Sequence, residues 1–234
     1  GDEEIKYTAF KFSGGEVSFK LEDEDYNFSR PLIYKTDLTS SDSIILLCLL
    51  KEYFDCVRPN PPSIREPYLM PRFLYLNYTP YGRQDRGERL EPFGLKVFSK
   101  IINSLKFDRV TVYDPHSYVT GALLDNVSFI DRLSTCSFHD YPYNFFVRNK
   151  DAIIVSPDQG AFKINDEIAR KYNKYHIFAN KTRDKETGEV NGMTLISDIP
   201  LKGRNCVILD DICDGGRTFI ELHKLLKKEG INEA

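Results

Sequence analysis

Chemically committed residues are sparse in this chain, and each scarcity removes a class of function. Four histidines are scattered over 234 residues, without the spacing of a zinc site. Five cysteines, Cys48, Cys56, Cys136, Cys206 and Cys213, are odd in number and form no C-x-x-C pair. That pattern reads as reduced thiols in an intracellular protein, not as a disulfide framework. The longest apolar run, Ile44 to Leu50, is far too short to span a bilayer. The amino-terminal GDEEIKY is acidic and has no secretory-leader pattern. Lys and Arg total 32 against 35 Asp and Glu, so no global basic field points to nucleic acid. There is no low-complexity segment and no short-period repeat. These absences predict a cytoplasmic chain without a membrane or nucleic-acid partner.

What is present suits an α/β protein. At 41% hydrophobic and 29% charged, the chain can build a substantial core and stay soluble. Its length allows one large or two small α/β domains. The most informative stretch is NCVILDDICDGGRTF, from Asn205 to Phe219. Val207, Ile208 and Leu209 form a short apolar run, as a buried parallel strand does. Asp210 and Asp211 follow at once. Asp214, Gly215, Gly216, Arg217 and Thr218 then lead into a helical pattern of Phe219, Ile220, Leu222, Leu225 and Leu226. Strand, acidic pair, glycine turn and helix is the layout of a ligand site at the carboxyl end of an α/β strand. Glycines let a backbone approach a phosphate and present N–H groups, and the helix that follows offers its positive end. Carboxylates repel phosphate, which suits Asp210 and Asp211 to sugar hydroxyls or a metal.

The theme recurs along the chain. Phe10, Phe12, Val17, Phe19 and Leu21 alternate around Ser13-Gly14-Gly15, which predicts a hairpin. A strand is predicted at Pro31–Tyr34. Ser41, Asp42 and Ser43 are candidate caps for a helix over Ile44–Phe54, and the Pro-rich stretch Val57–Pro71 is predicted as a loop. Strands are predicted at Arg72–Tyr78, Arg109–Tyr113, Asp151–Val155, Tyr175–Ala179 and Met193–Ile196. Phe93–Leu105 is predicted as an amphipathic helix, with Phe93, Val97, Ile101 and Leu105 on one face; another helix is predicted at Ile164–Tyr172. Several strands end on polar groups: Thr79-Pro80-Tyr81-Gly82-Arg83-Gln84-Asp85-Arg86, then Asp114-Pro115-His116, then Ser156-Pro157-Asp158-Gln159-Gly160. Asn180–Gly192 is charged and is predicted to be an exposed, mobile loop or hairpin. A domain change is placed near Tyr141–Arg148.

The stretch Asp210-Asp211-x-x-Asp214 to Thr218 resembles the loop that binds 5-phosphoribosyl 1-diphosphate in type I phosphoribosyltransferases and ribose-phosphate pyrophosphokinases. Gly215 stands where that pattern has Thr, and Arg217 where it has Gly. Taken in order, Phe12–Glu16, Tyr78–Arg86, Asp114–His116, Ser156–Gly160 and Lys181-Thr182-Arg183 resemble successive landmarks of the ribose-phosphate pyrophosphokinases. Gly14 departs from that family's hairpin, which has an acid there. The resemblance implies two similar phosphoribosyltransferase-like α/β domains with mainly parallel sheets flanked by helices. Residues 1–145 would form the ATP side and 146–234 the ribose-phosphate side. The family continues with a further strand-rich stretch, so the second domain is expected to be incomplete at Ala234.

The activity implied by the resemblance is transfer of a diphosphoryl group from ATP to the anomeric hydroxyl of a 5-phosphorylated ribose, with magnesium, releasing AMP. Phe12, Glu16, Arg83, Gln84, Asp85 and His116 would contact ATP, with Phe12 and Glu16 supplied by another subunit, which requires at least a homodimer. His116 and Asp158 would hold the metal. Asp210 and Asp211 would hold the ribose hydroxyls; Asp214, Gly215, Gly216, Arg217 and Thr218 would complete the ribose-phosphate site. Lys181 and Arg183 would act on the transferring group. Arg217, a bidentate phosphate ligand in place of glycine, raises ADP-ribose as an acceptor beside ribose 5-phosphate. A non-catalytic regulatory homologue and a type I phosphoribosyltransferase are the competing readings.

Overall fold

The computed structural model describes residues 4–22, 30–56, 70–135, 141–183 and 190–234, and all that follows concerns these. They divide into two compact units, Gly1–Ile130 and Asp131–Ala234. Both are α/β, with helices flanking largely parallel sheets.

The first unit opens with a hairpin of β1 (Tyr7–Lys11) and β2 (Val17–Leu21). Its turn closes through the Gly15 N–H to the Phe12 carbonyl at 2.9 Å, with Gly15 at φ +99°, a conformation that favours glycine. The alternation around Ser13-Gly14-Gly15 therefore becomes the hairpin it predicts. The hairpin packs on α1 (Ser41–Cys56) through an edge contact of Phe19 with Tyr53. The helix begins at Ser41, so its cap is Ser40, one residue before the candidates. Ser40 Oγ accepts from the Ser43 N–H, and Ser43 Oγ accepts from the Ser40 N–H, a reciprocal box.

The sheet of this unit is all-parallel, in the order β3 (Leu32–Asp37), β4 (Arg72–Tyr78), β5 (Arg109–Tyr113), β6 (Val127–Ile130). Leu74 and Leu76 of β4 and Val110 and Val112 of β5 are buried in one core with Leu47 of α1. Helix α2 (Gly94–Ser104) completes it, but with a different face from the one its four-residue spacing suggests. Leu95, Phe98, Ser99 and Ile102 are buried, while Val97 is 58% exposed. A strict four-residue series drifts about 40° per step around a helix of 3.6 residues per turn. It skirts the edge of the apolar arc whose centre is set by Leu95, Phe98 and Ile102. The short helix α3 (Val119–Leu123) precedes β6.

In the second unit the order is β10 (Cys206–Ile208), β7 (Ile153–Ser156), β8 (Tyr175–Arg183), β9 (Val190–Ile196). The first three run parallel, and β9 returns antiparallel to β8. The charged stretch predicted as loop or hairpin thus includes paired strand on both sides, and residues 184–189 lie outside the described chain. Every residue of β7 is buried, which accounts for its unbroken apolar sequence. The helices are α4 (Arg132–Thr135), α5 (Tyr141–Arg148), α6 (Phe162–Lys171) and α7 (Arg217–Lys228). Helix α7 buries Leu222 and Leu226 against Ile153, Val155 and Ile177. Phe145 and Phe146 of α5 join Ile154 and Ile168 in a second cluster. Lys174 secures the end of α5: its ammonium donates to the carbonyls of Phe146, Asn149 and Lys150 at 3.0, 2.9 and 2.8 Å.

One buried charge cluster ties the first unit together. The Arg72 guanidinium, at the start of β4, donates to the carbonyls of Phe54 and Met70, both at 3.0 Å, and to Asp55 at 3.4 Å. Lys51, also buried, pairs with the same Asp55 carboxylate. Asp55→Ala therefore leaves two buried cations facing each other, and is expected to cost about 3 kcal/mol, read as a lower midpoint in urea unfolding. A change within a few tenths of a kcal/mol would mean that water compensates both cations.

Candidate functional site

Parallel strands deliver their carboxyl ends to one edge of a sheet, and in the second unit two such ends carry acids. β7 and β10 are neighbours, with Val155 opposite Ile208. Beyond β7, Ser156-Pro157 leads to Asp158, whose Oδ1 accepts the N–H groups of Gly160 and Ala161 at 3.0 and 3.3 Å. That carboxylate is thereby fixed at the head of α6. Beyond β10, Leu209 extends the pairing by donating its N–H to the Val155 carbonyl at 3.2 Å. Asp210 and Asp211 come next, half-buried, and the Asp211 N–H donates to Asp210 Oδ1 at 3.0 Å. Burial, then the hydrogen bond and charge of Asp211, push the Asp210 carboxyl up to about 7; the Asp158 charge acts in the same direction.

The chain then turns through Cys213, Asp214 and Gly215, all exposed, into Gly216. Gly216 has φ +71° and caps α7, so a side chain there is strained. No atom lies within 4 Å of where a Cβ would stand at Gly215 or Gly216, which leaves the approach to the helix head open. Arg217 is the first residue of α7; its Nε donates to Glu221 Oε1 at 2.8 Å, and its side chain is 80% exposed. Thr218 is half-buried beside it. The arrangement offers open backbone at a helix head, which suits an anion, and carboxylates at the neighbouring strand end, which suit hydroxyls.

Two residues that the sequence does not single out stand behind the acid pair. Arg132 of α4 places Nη2 3.9 Å from Asp211 Oδ1, with both side chains largely buried. Its Nη1 donates to Asn165 Oδ1 at 3.1 Å. Asn165 of α6 is fully buried, and its Nδ2 donates to Ser156 Oγ at 2.9 Å and to the Leu209 carbonyl at 2.8 Å. The available signal is a polar residue in phase with Ala161, Ile168 and Ala169 on the buried face of a helix.

In the first unit the corresponding strand ends also carry the singled-out residues. After β4 the backbone is strained at Tyr81, with φ 60°, and after β5 at Asp114, with φ 39°. The Gln84 N–H donates to the Tyr81 carbonyl at 2.9 Å, and the Gln84 carbonyl receives the Leu95 N–H at 3.1 Å. A Cβ added at Gly94 would stand 2.2 Å from Gln84 Oε1, so the glycine at the start of α2 makes room for that side chain. A Cβ at Gly82 would lie 3.5 Å from the His116 Cβ, which brings the two strand-end loops together. Arg83 and His116 are exposed, and Gln84 and Asp85 half-buried. Phe12 and Glu16 are exposed on the hairpin; the Glu16 carboxylate lies over Gly14, where an added Cβ would stand 2.5 Å from it. Lys181 and Arg183 lie at the end of β8, their backbones opposite Met193 and Val190. Of the two candidate metal residues, His116 belongs to the first unit and Asp158 to the second.

Among the described residues no group of three or more His, Cys, Asp or Glu could hold a metal alone. Magnesium does not require one, since it binds through one or two carboxylates together with substrate phosphates and water. Asp158, its carboxylate fixed at the head of α6, is a hard oxygen donor of the kind that ion takes.

Residues 130–234 match the phosphoribosyl transferase domain family. The chain is 31% identical over 159 residues to a ribose-phosphate pyrophosphokinase of Cereibacter sphaeroides, covering 67% of this chain and 46% of that protein. It is 25% identical over 230 residues to a putative ribose-phosphate pyrophosphokinase 2 of Streptococcus pneumoniae, covering 97% of this chain and 67% of that one. The chain thus spans about two thirds or less of these relatives. The fold superposes on a phosphoribosylpyrophosphate synthetase from Mycobacterium smegmatis with a TM-score of 0.70 at 19% identity, over 97% of this chain and 70% of the other. No described helix is long and apolar enough to cross a membrane.

The acid pair generates a pH-dependent expectation. Carboxyl-carbon NMR should find Asp210 titrating near pH 7, and Asp211→Asn should bring it down. The folded value lies above the ordinary one. Stability from protonated Asp210 is therefore fully present below about 3.8 and is lost as pH rises through about 7. Asp210→Asn, neutral throughout, should flatten that slope in urea unfolding; an unchanged slope would assign the proton to another group.

Proposed function

From its membership of the ribose-phosphate pyrophosphokinase family, we propose that this chain transfers the diphosphoryl group of ATP to the anomeric hydroxyl of a 5-phosphorylated ribose, releasing AMP. The observation that carries this reading is the acid pair at the end of β10, beside Asp158 and followed by the open Gly215-Gly216 turn at the head of α7. In this reading Asp210 and Asp211 accept hydrogen bonds from the ribose 2- and 3-hydroxyls. The Gly215, Gly216 and Thr218 donors, with Asp214 holding the turn, take the 5-phosphate.

The nucleotide belongs to the first unit in this reading and the acceptor to the second. Arg83, Gln84 and Asp85 contact ATP from the strained turn after β4, with His116 beside them. Phe12 and Glu16 serve the ATP site of a neighbouring copy, so the active form is at least a homodimer. His116 in the first unit and Asp158 in the second would each offer a magnesium ligand, and a bound ion would supply charge neutralisation for the phosphates. Lys181 and Arg183 stabilise charge that develops on the transferring group. The reaction is one of positioning and charge neutralisation, which suits a site rich in fixed donors and without a conspicuous nucleophile. The cytoplasm, with ATP, magnesium and reduced thiols, is the compartment that fits; Cys48, Cys56, Cys206 and Cys213 form no disulfide.

Arg217 supports a second acceptor. A ribose 5-phosphate needs only the glycine turn, whereas ADP-ribose carries a second phosphate at C5. An exposed guanidinium at the first turn of α7 meets that phosphate by exchanging its Glu221 partner. The test is AMP release from ATP and magnesium, with ribose 5-phosphate and ADP-ribose offered separately. Turnover with either is expected to fall at least about a hundredfold in Lys181→Ala, and Arg217→Gly to weaken ADP-ribose selectively. Equal losses for both acceptors would remove Arg217 from specificity. No AMP from either, in a folded full chain, would favour a regulatory homologue; base-dependent diphosphate release would favour a phosphoribosyltransferase.

A further inference from the structure

The acid pair is held from behind by a chain of buried polar groups whose hydrogen-bond directions are fixed by chemistry. The Leu209 carbonyl only accepts and the Arg132 guanidinium only donates, so the Asn165 amide has one orientation: Nδ2 toward Leu209 and Oδ1 toward Arg132. The second Nδ2 hydrogen goes to Ser156 Oγ. On the far side, Ser156 Oγ lies 2.8 Å from His176 Nε2, and His176 Nδ1 lies 3.5 Å from Asp166 Oδ1. Burial lowers the His176 pKa against the opposing pull of Asp166, which keeps the ring neutral with its proton on the Asp166 side. Ser156 therefore donates to His176 and accepts from Asn165. Asp166, His176 and Ser156 have the residue types of a nucleophile triad. Ser156 is fully buried, however, and no substrate reaches its oxygen. The array locks the amide instead.

Asn165 thus touches four elements at once: its own helix α6, the end of β7 at Ser156, the backbone just past β10 at Leu209, and α4 through Arg132. Of its three side-chain hydrogen bonds, two lead to the residues flanking Asp210: one directly to the Leu209 carbonyl, and one through Arg132 to Asp211. We propose that Asn165, acting through Arg132 and the Leu209 carbonyl, is the positioning residue of the acid pair, fixing where Asp211 stands and the angle at which the chain leaves β10. This rests on the reading of Asp210 and Asp211 as the acceptor-binding carboxylates. The division of labour is specific. Arg132 gives Asp211 a fixed counter-charge, while Asn165 prevents the guanidinium from swinging to another acceptor. An aliphatic residue at 165 would fill the space but leave Arg132 and the Leu209 carbonyl without this partner.

The test combines a structural and a binding measurement on Asn165→Ala, Arg132→Met and the double variant. Crystal structures of the full chain should show the Asp211 carboxylate displaced in Asn165→Ala; an unmoved carboxylate overturns the proposal whatever the enzyme's substrate is. Calorimetric titration with ribose 5-phosphate and magnesium should weaken about tenfold or more in each single variant, and the double variant should be no weaker than the worse single. Fully additive losses would mean that Asn165 does not act through Arg132. Lys174→Met, which disrupts the α5 anchor, should lower Tm and leave ribose 5-phosphate affinity unchanged. A Tm loss without an affinity loss in Asn165→Ala would make that residue structural only and overturn the proposal. If wild type does not bind ribose 5-phosphate, the functional reading fails, and the position of Asp211 alone decides this one. Should Asn165→Ala not fold, Arg132→Lys asks the same question. Its single ammonium keeps the charge but does not span both Asn165 and Asp211, so an unmoved Asp211 there overturns the proposal.

Discussion

Two adjacent carboxylates at the end of a half-buried strand repel each other, and the second unit is arranged around accommodating them. Arg132 supplies one counter-charge and the Asp211 backbone N–H stabilises the neighbouring carboxylate, while burial and then the Asp211 carboxylate raise the Asp210 pKa to about 7. Each device needs a particular element in place. Arg132 comes from α4, its anchor Asn165 from α6, and the acids from beyond β10. Removing Asp211 would take a carboxylate away from the buried Arg132 guanidinium, so the polar interior and the acidic surface are coupled. Hydroxyl donors or a cation placed against these carboxylates would favour their charged form.

The two units follow one plan with different contents. In both, parallel strands end on polar residues, and the loops that follow carry strained backbone or glycine. Tyr81 and Asp114 take positive φ angles in the first unit, and Gly216 takes one in the second. Such conformations persist when the surrounding contacts over-determine them. The contacts are visible: Gln84 is bonded to both Tyr81 and Leu95, the Asp114 N–H donates to the Ile130 carbonyl at 2.8 Å, and α7 continues directly from Gly216.

Apolar periodicity makes most of the strands legible. β4, β5, β7 and β8 stand out because a strand buried in a parallel sheet is an unbroken or alternating apolar run, and little else in the chain looks like one. β6, Val127-Ser128-Phe129-Ile130, does not stand out, because it is an edge strand whose Ser128 and Phe129 are exposed. Helix α5 carries Tyr-Pro-Tyr-Asn at its start, which reads as a turn, and only the burial of Phe145 and Phe146 shows why it is helical. At the site, Asp210, Asp211, Gly215 and Gly216 are visible as a local string. Arg132 and Asn165 are not, because their significance lies in a contact between residues 33 apart in the chain, and an isolated Arg or Asn carries no pattern.

The strand order of the two sheets has a consequence for how each unit comes to exist. In the first unit the order β3-β4-β5-β6 is the order of synthesis, so each new strand adds beside the one just laid down, closing only local loops. In the second unit the last strand, β10, docks on the first, β7, about 50 residues earlier in the chain. That is the longest loop among its strand pairings and the one with the greatest closure entropy. The acid pair is carried by this last arrival. Partly folded forms of the second unit that lack only β10 would keep β7, β8 and β9 paired, yet would hold no assembled acidic site, so ligand binding reports completion of the unit and not merely its collapse.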